Sequence, residues 1–480
     1  MNVDQTLITK IAVQVLAKLQ QSAAGGNDGG DYGVYQTVDE GVAAAREAYK
    51  QLRALSIAER EKLIKAMREA AYNHAELLAK MAVEESGMGR VADKIIKNQM
   101  GAMKTPGTED LRTEAQTGDH GLTLYEMGPY GVIGSITPTT NPSETIICNG
   151  IGMIAAGNAV FFSPHPTAKN TSLTTIKILN KAIIAAGGPA NLLTAIEKPS
   201  LEATNAMMSH RDINMLVATG GPGVVKAVLS SGKKAIGAGA GNPPAVVDTT
   251  ADIPKAAKDI VAGCSFDNNL PCIAEKEVIV VGAVADELIS YMQKYGAYLI
   301  AGKQIDDLLA VVMTEKPQKI AEGCTEKPKK AYGINKDYVG KDAQYLLSQI
   351  GITVPDSIRV VLCETEADHP FVIEELMMPI LPVVQVKDID AAIELAVKVE
   401  HGNRHTAIMH SKNVDHLTRL AKAIETTIFV KNAPSYAGIG VGGEGHTTFT
   451  IAGPTGEGLT SPRSFTRQRR CVLVDGFSIV

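Results

Sequence analysis

No apolar run in the 480-residue chain reaches the roughly 18 residues that a membrane-spanning helix needs; even the stretch 146–162 is interrupted by Asn149 and Asn158, which predicts a soluble protein. The six cysteines (Cys148, Cys264, Cys272, Cys324, Cys363, Cys471) are scattered without CxxC pairs, which argues against a disulfide framework or a structural zinc site. The N-terminus lacks the basic start, apolar middle and small-residue cleavage site of a signal peptide, so free intracellular thiols are expected and one of them could serve as a nucleophile. Charge of neither sign dominates: 47 Lys+Arg against 52 Asp+Glu give a net −5, too small and of the wrong sign for a nucleic-acid or anionic-membrane partner. Repeats are missing too. What remains is an ordinary globular composition, 45% hydrophobic and 21% charged, in a chain long enough for two or three packed units. A small-molecule partner is expected.

Residues 1–20 place Val3, Leu7, Ile8, Ile11, Val15, Leu16 and Leu19 at helical spacing, which predicts a short amphipathic helix. The following QSAAGGNDGGD has four glycines and no large apolar residue, so 21–37 is assigned to a flexible linker. From 38 to 96 the sequence is Ala-rich and helical, and after Gly118 it turns strand-like. The apolar runs 132–136 and 159–162 flank a helical stretch at 142–156, a β-α-β unit. A second unit follows: a strand at 215–218, the turn Gly220-Gly221-Pro222-Gly223, a helix from 224 and a strand from 235. Such alternation predicts an α/β fold with largely parallel sheets.

A turn with closely spaced glycines between strand and helix lets backbone N–H groups approach a phosphate at the helix N-terminus. Residues 219–223 meet that context without the full dinucleotide fingerprint, so a phosphate cradle and a simple tight turn both stay open. Gly237, Gly239 and Gly241 also alternate, but they run into Pro243, Pro244 and an apolar strand and so fail the same test. Cys272 follows the polar Asp267-Asn268-Asn269 and Pro271 and precedes an apparent strand at 278–281; a thiol there can reach a cleft. For the other cysteines a buried or inert role is the simpler expectation.

Five segments together carry a resemblance: SITPTTNPSE (135–144), VATGGPGVVKAV (217–228), GAGAGNPPAVVD (237–248), SFDNNLPC (265–272) and EELMMPILPVV (374–384). In this order and spacing the chain from about Val38 onward resembles the aldehyde dehydrogenase superfamily, and within it the coenzyme-A-acylating enzymes of bacterial microcompartments, the propionaldehyde and acetaldehyde dehydrogenase type. The resemblance implies a Rossmann-like dinucleotide-binding domain (38–112 and 129–245), an α/β catalytic domain (246–445) and a small β oligomerisation module (113–128 and 462–480). It implies a homodimer or homotetramer, a place in the bacterial cytoplasm inside a microcompartment, and docking on the shell through residues 1–20. Cys272 matches the family nucleophile, Glu375 the acid that holds the nicotinamide ribose, and Thr219, Gly220 and Gly223 the turn near the dinucleotide. Pro138, Ser163 and His165 fall in the segments that contact the cofactor, NAD. Many relatives have a lysine and a glutamate near 163–165, which leaves NAD against NADP open.

Two departures from the hydrolytic branch are informative. Hydrolytic members carry a glutamate that activates water where this chain has Ala238 in a run of glycines. Water has a pKa near 15.7 and a thiol about 8.5, so a thiol acceptor, coenzyme A, needs far less help from a base. The oxyanion asparagine of the hydrolytic branch aligns with Thr140 without gaps, whereas chemistry prefers Asn141; both stay candidates. The reaction so implied is aldehyde addition to Cys272, hydride transfer to NAD, and release of the thioester to coenzyme A. It leaves no task for His165, His401 or His405 and needs no metal. Propionaldehyde is the first substrate and acetaldehyde the second. The alternatives are a hydrolytic dehydrogenase, a cysteine hydrolase, or a scaffold that interacts through residues 1–20.

Overall fold

The computed structural model describes residues 31–316 and 331–479. The segment 1–20, linker residues 21–30 and Cys324 lie outside the described residues. The chain opens with helices whose starts are written in the sequence. Thr37 caps Val38–Arg53 and Ser56 caps Ile57–Asn73, each completing a capping box with the glutamate three residues on, Glu40 and Glu59. Helices Ala75–Ser86 and Val91–Lys104 follow, the first ending at Gly87 in the left-handed conformation.

The strands of the N-terminal half are β1 (Val34–Tyr35), the hairpin β2 (Glu114–Gly118) and β3 (Gly121–Pro129), β4 (Val132–Thr137), β5 (Ala159–Pro164), β6 (Leu193–Ile196), β7 (Ile213–Thr219) and β8 (Lys234–Ala238). Six form a parallel sheet in the order β1-β6-β5-β4-β7-β8. The chain winds outward from β4 through β5 and β6, then restarts on the other side of β4 at β7. That reversal opens a crevice at the carboxyl ends of β4 and β7. β1 falls within the stretch that composition assigns to the linker; residues 31–37 instead reach the sheet edge, where Val34 pairs with Ala195. Helix Pro142–Ala155 is buried along its whole length, which explains why it is apolar on nearly every side.

Residues 239–243 carry the chain into a second sheet, which starts at β9 (Pro244–Val247). Its other strands are β10 (Glu277–Val281), β11 (Ala297–Ile300), β14 (Val360–Glu364), β15 (Ile380–Val386), β16 (Thr406–His410) and β17 (Ile428–Lys431), after an antiparallel ribbon of β12 (Met313–Lys316) and β13 (Ala331–Ile334). The order β11-β14-β15-β10-β9-β16-β17 is parallel throughout. A short antiparallel pair, β18 (Ile451–Ala452) and β19 (Gly458–Leu459), precedes β20 (Thr466–Val474). β20 pairs antiparallel with β3 and leaves Val472, Leu473 and Val474 exposed, so β2, β3 and β20 form a separate three-stranded sheet. No helix among the described residues is long and apolar enough to cross a membrane.

Candidate active site

Pro138, Ser163 and Thr219 lie at or just beyond the carboxyl ends of the adjacent strands β4, β5 and β7. The structure therefore brings these candidates together at the switch point, with His165 just past β5. The Gly220 N–H donates to the Ala238 carbonyl at 3.1 Å and folds the turn back onto β8. Gly221 starts helix Pro222–Leu229, and a Cβ added at Gly221 or Gly223 would meet nothing within 4 Å. Open backbone at a helix start suits a dinucleotide phosphate. The side chains themselves are engaged: Thr219 Oγ1 lies 2.8 Å from Thr450 Oγ1, Ser163 Oγ 2.8 Å from Thr204 Oγ1, and His165 Nδ1 2.7 Å from Thr167 Oγ1. Burial, with Lys336 nearby, lowers the His165 pKa.

Cys272 follows a strained loop. Asp267, Asn268 and Asn269 all have positive φ, +49°, +54° and +65°, a region that Asp and Asn tolerate better than most residues but that still costs about 1–3 kcal/mol each. The surroundings over-determine it. Asp267 Oδ1 accepts from the Arg90 N–H at 2.8 Å, Asn268 Nδ2 donates to the Gly340 carbonyl at 2.9 Å, and Asn269 Oδ1 accepts from the buried Lys276 at 2.6 Å. The Cys272 side is partly exposed whereas Cys148, Cys264 and Cys363 are buried. Burial, then the Glu375 carboxylate, pushes the Cys272 thiol up to about 12, with Lys276 pulling the other way.

Asn141 is buried and its Oδ1 accepts a 2.6 Å bond from Lys97 Nζ, while its Nδ2 reaches Thr140 Oγ1 at 3.3 Å. Lys94 Nζ donates to the Thr140 carbonyl at 3.0 Å. Both lysines also grip Asp267 Oδ2, at 2.9 and 2.5 Å, and Lys97 lies 3.2 Å from Glu144. Burial works against charge here, but Asp267 and Glu144 hold the Lys97 pKa above its ordinary value and the two lysines hold the Asp267 pKa below its own.

Residues 239–241 pass between the two sheets. A Cβ at Gly241 would sit 2.9 Å from the Cys272 carbonyl and 2.8 Å from the His405 ring, so only glycine lets the loop come this close. The Gly241 N–H supports the Glu375 carboxylate, whose pKa burial raises. His405 is buried, its Nδ1 is 2.8 Å from Thr406 Oγ1, and its Nε2 has no partner. Burial lowers its pKa to about 4, so it is neutral. His401 by contrast is exposed and bonds the Ile373 carbonyl. Sequence patterns do not single out Lys94 and Lys97, they show Asp267 only as part of a polar loop, and they leave His405 without a task, whereas its ring lies against the same Gly241 position as the Cys272 carbonyl. The one trace is that the inner stripe of helix Val91–Lys104 reads Lys94, Lys97, Asn98, Gly101 instead of apolar residues. No cluster of three or more His, Cys, Asp or Glu able to hold a metal exists among the described residues.

The chain matches the model of the aldehyde dehydrogenase family over residues 31–454. It is 48% identical over 478 residues, 99% of this chain and 100% of the relative, to an acetylating acetaldehyde dehydrogenase of Salmonella typhimurium. It is 56% identical to a propionaldehyde dehydrogenase from the fucose utilisation microcompartment of Clostridium phytofermentans, with a TM-score of 0.89 over 94% of this chain and 100% of that one. A Rhodopseudomonas palustris propionaldehyde dehydrogenase crystallised with bound CoA and an acylated cysteine is likewise 56% identical, with a TM-score of 0.89 over 93% and 99% of the two chains. The chain belongs to the aldehyde dehydrogenase family.

Proposed function

We propose that this chain oxidises a short-chain aldehyde, propionaldehyde first and acetaldehyde second, to the acyl-CoA with NAD and coenzyme A through a thioester on Cys272. The observation that carries it is the loop of Cys272 tied to that of Asn141 while the glycine segment facing them holds no carboxylate to activate water. Cys272 gives its thiol proton to solvent and adds as the thiolate to the carbonyl carbon, and the oxyanion is held by the Cys272 backbone N–H and by Asn141 Nδ2. Asn141 is preferred to Thr140 because its oxygen is already taken by Lys97, which turns its amide N–H groups outward. The turn Thr219–Gly223 with Pro138, Ser163 and His165 would hold the dinucleotide and Glu375 its nicotinamide ribose; when bound, NAD supplies the hydride acceptor. Neutral His405, whose buried Nε2 has no partner and whose ring lies with the Cys272 carbonyl against Gly241, accepts the proton of the incoming thiol. The thiol then displaces Cys272, which leaves free. A kcat/KM series over C2 to C6 aldehydes with coenzyme A should peak at C3; a maximum at C2 makes acetaldehyde the substrate, and one at C5 or C6 overturns the short-chain reading.

We further propose that residues 1–20 dock this enzyme on a microcompartment shell and that β20 joins a second copy of the chain in a homodimer or homotetramer. In support, the sequence of 1–20 repeats apolar residues at helical spacing ahead of a glycine tether, and β20 leaves an unpaired edge with exposed Val472 and Val474. A truncation starting at Tyr32 is expected to keep kcat while losing co-purification with shells. Loss of activity, or undiminished shell association, speaks against the docking role.

A further inference from the structure

We propose that Lys97 is a positioning residue for the oxyanion: its buried ammonium fixes which way the Asn141 amide faces and refers that amide and the nucleophile loop to one atom. The inference rests on the reading of Asn141 as oxyanion donor.

Asn141 stands at the N-cap of helix Pro142–Ala155, where an asparagine oxygen ordinarily accepts a bond from the first turn of the helix. Here it makes no such bond. Its Oδ1 faces Lys97 Nζ instead, at 2.6 Å. An ammonium only donates, so the amide can present nothing but its oxygen to Lys97, and the flipped orientation would set N–H against N–H. Nδ2 is thereby fixed on the far side. Its single bond there, to Thr140 Oγ1, is long at 3.3 Å and leaves one N–H for another acceptor.

Lys97 Nζ donates to Asp267 at 2.5 Å and to Asn141 at 2.6 Å, and Glu144 Oε1 lies at ion-pair distance, 3.2 Å, as the second counter-charge. Asp267 opens the left-handed run that leads to Cys272. One nitrogen therefore spaces the nucleophile loop from the oxyanion donor, and Lys94 repeats the clamp one helical turn earlier through Asp267 and the Thr140 carbonyl. All four charged groups are at most 1% exposed. Two cations and two anions balance, yet a buried network of this kind is seldom more stable than an apolar core of the same shape. A local preference broken at the N-cap, and charges placed where a helix would bury leucine, are the signs of residues kept for geometry at a working site.

Lys97→Met alone would strand buried carboxylates, so the informative variant is the charge-neutral pair Lys97→Met with Glu144→Gln. The readout is the rate constant of the first NADH turnover per titrated active site, with propionaldehyde and no coenzyme A, which a smaller folded fraction does not alter. The pair is expected to slow it about 10²–10³-fold, as loss of an oxyanion donor does, with KM for coenzyme A in the full reaction unchanged. Asn141→Ala should lose as much, and adding the pair to Asn141→Ala should cost no more than about twofold further, because both remove one interaction. Glu144→Gln by itself keeps the ammonium on Asn141 and should lose less than the pair. A pair within about twofold of wild type, losses that multiply with Asn141→Ala, or an equal loss in Glu144→Gln alone would each overturn the role of Lys97. Full rate in Asn141→Ala would instead overturn the oxyanion reading on which it stands.

Discussion

Cys272→Ala should abolish acyl-CoA formation, leaving less than about a hundredth of the wild-type rate, because no other group in the site can carry the thioester. The contrast with the remaining thiols is what makes the expectation sharp. Cys148 is buried, accepts a 3.1 Å bond from Thr105, and its pKa is pushed to about 12 by burial. Cys363 is equally enclosed within β14, and burial takes it to about 12 as well. A high pKa does not separate them from Cys272. Access and surroundings do: Cys272 alone of the four is partly exposed, and it stands beside Lys276, Glu375 and the loop tied to Asn141. Cys148→Ala and Cys363→Ala should therefore keep kcat within a few-fold. Acyl-CoA measured by chromatography and NADH at 340 nm report the outcome together. A Cys272→Ala enzyme that retained more than about a hundredth of the rate would show that the thioester forms elsewhere or not at all.

How far the site can be read from sequence depends on whether its parts are local. The β-α-β unit around helix Pro142–Ala155 and the turn at Gly220–Gly223 are legible, since apolar runs, a proline at the helix start and clustered glycines act over a few residues. The exposure of Cys272 is half-legible: Asp267, Asn268 and Asn269 announce an irregular loop, but only the fold shows all three in left-handed conformation and held by bonds to Arg90, Gly340 and Lys276. Thr140 and Asn141 cannot be ranked by spacing, because the proposed preference for Asn141 rests on the bond from Lys97, 44 residues away in sequence. Lysines three apart on a helix ordinarily mark the solvent face, and here they mark the buried one while Ile96 is 40% exposed. His405 is silent for a similar reason. Its buried ring acquires meaning through Gly241, which arrives from the other sheet. In each case the missing term is a tertiary contact that local preference argues against.

Without coenzyme A the enzyme should produce roughly one NADH per active site and then stall. The thioester on Cys272 needs an attacking nucleophile, and water needs a base. Ala238 at the end of β8 supplies none, and Gly239, Ala240 and Gly241 carry no carboxylate. General-base help is worth about 10²–10⁴-fold in rate, so the deacylation that remains is slow against turnover. A thiol, some seven pKa units more acidic than water, needs only a weak base; neutral His405 beside the Cys272 carbonyl is one. Adding coenzyme A should therefore restore steady turnover and yield acyl-CoA. His405→Ala should keep the first NADH and slow only the coenzyme-A-dependent phase, which places the histidine after hydride transfer. Putting a carboxylate back should move the product toward free acid. Gly239→Glu is the better site, since a Cβ there meets nothing within 4 Å, whereas Ala238 is 3% exposed and Ala238→Glu would enclose its charge. Rapid-mixing absorbance at 340 nm with product analysis separates these outcomes. Steady NADH formation and free acid from the wild-type enzyme without coenzyme A would return the chain to the hydrolytic branch of its family.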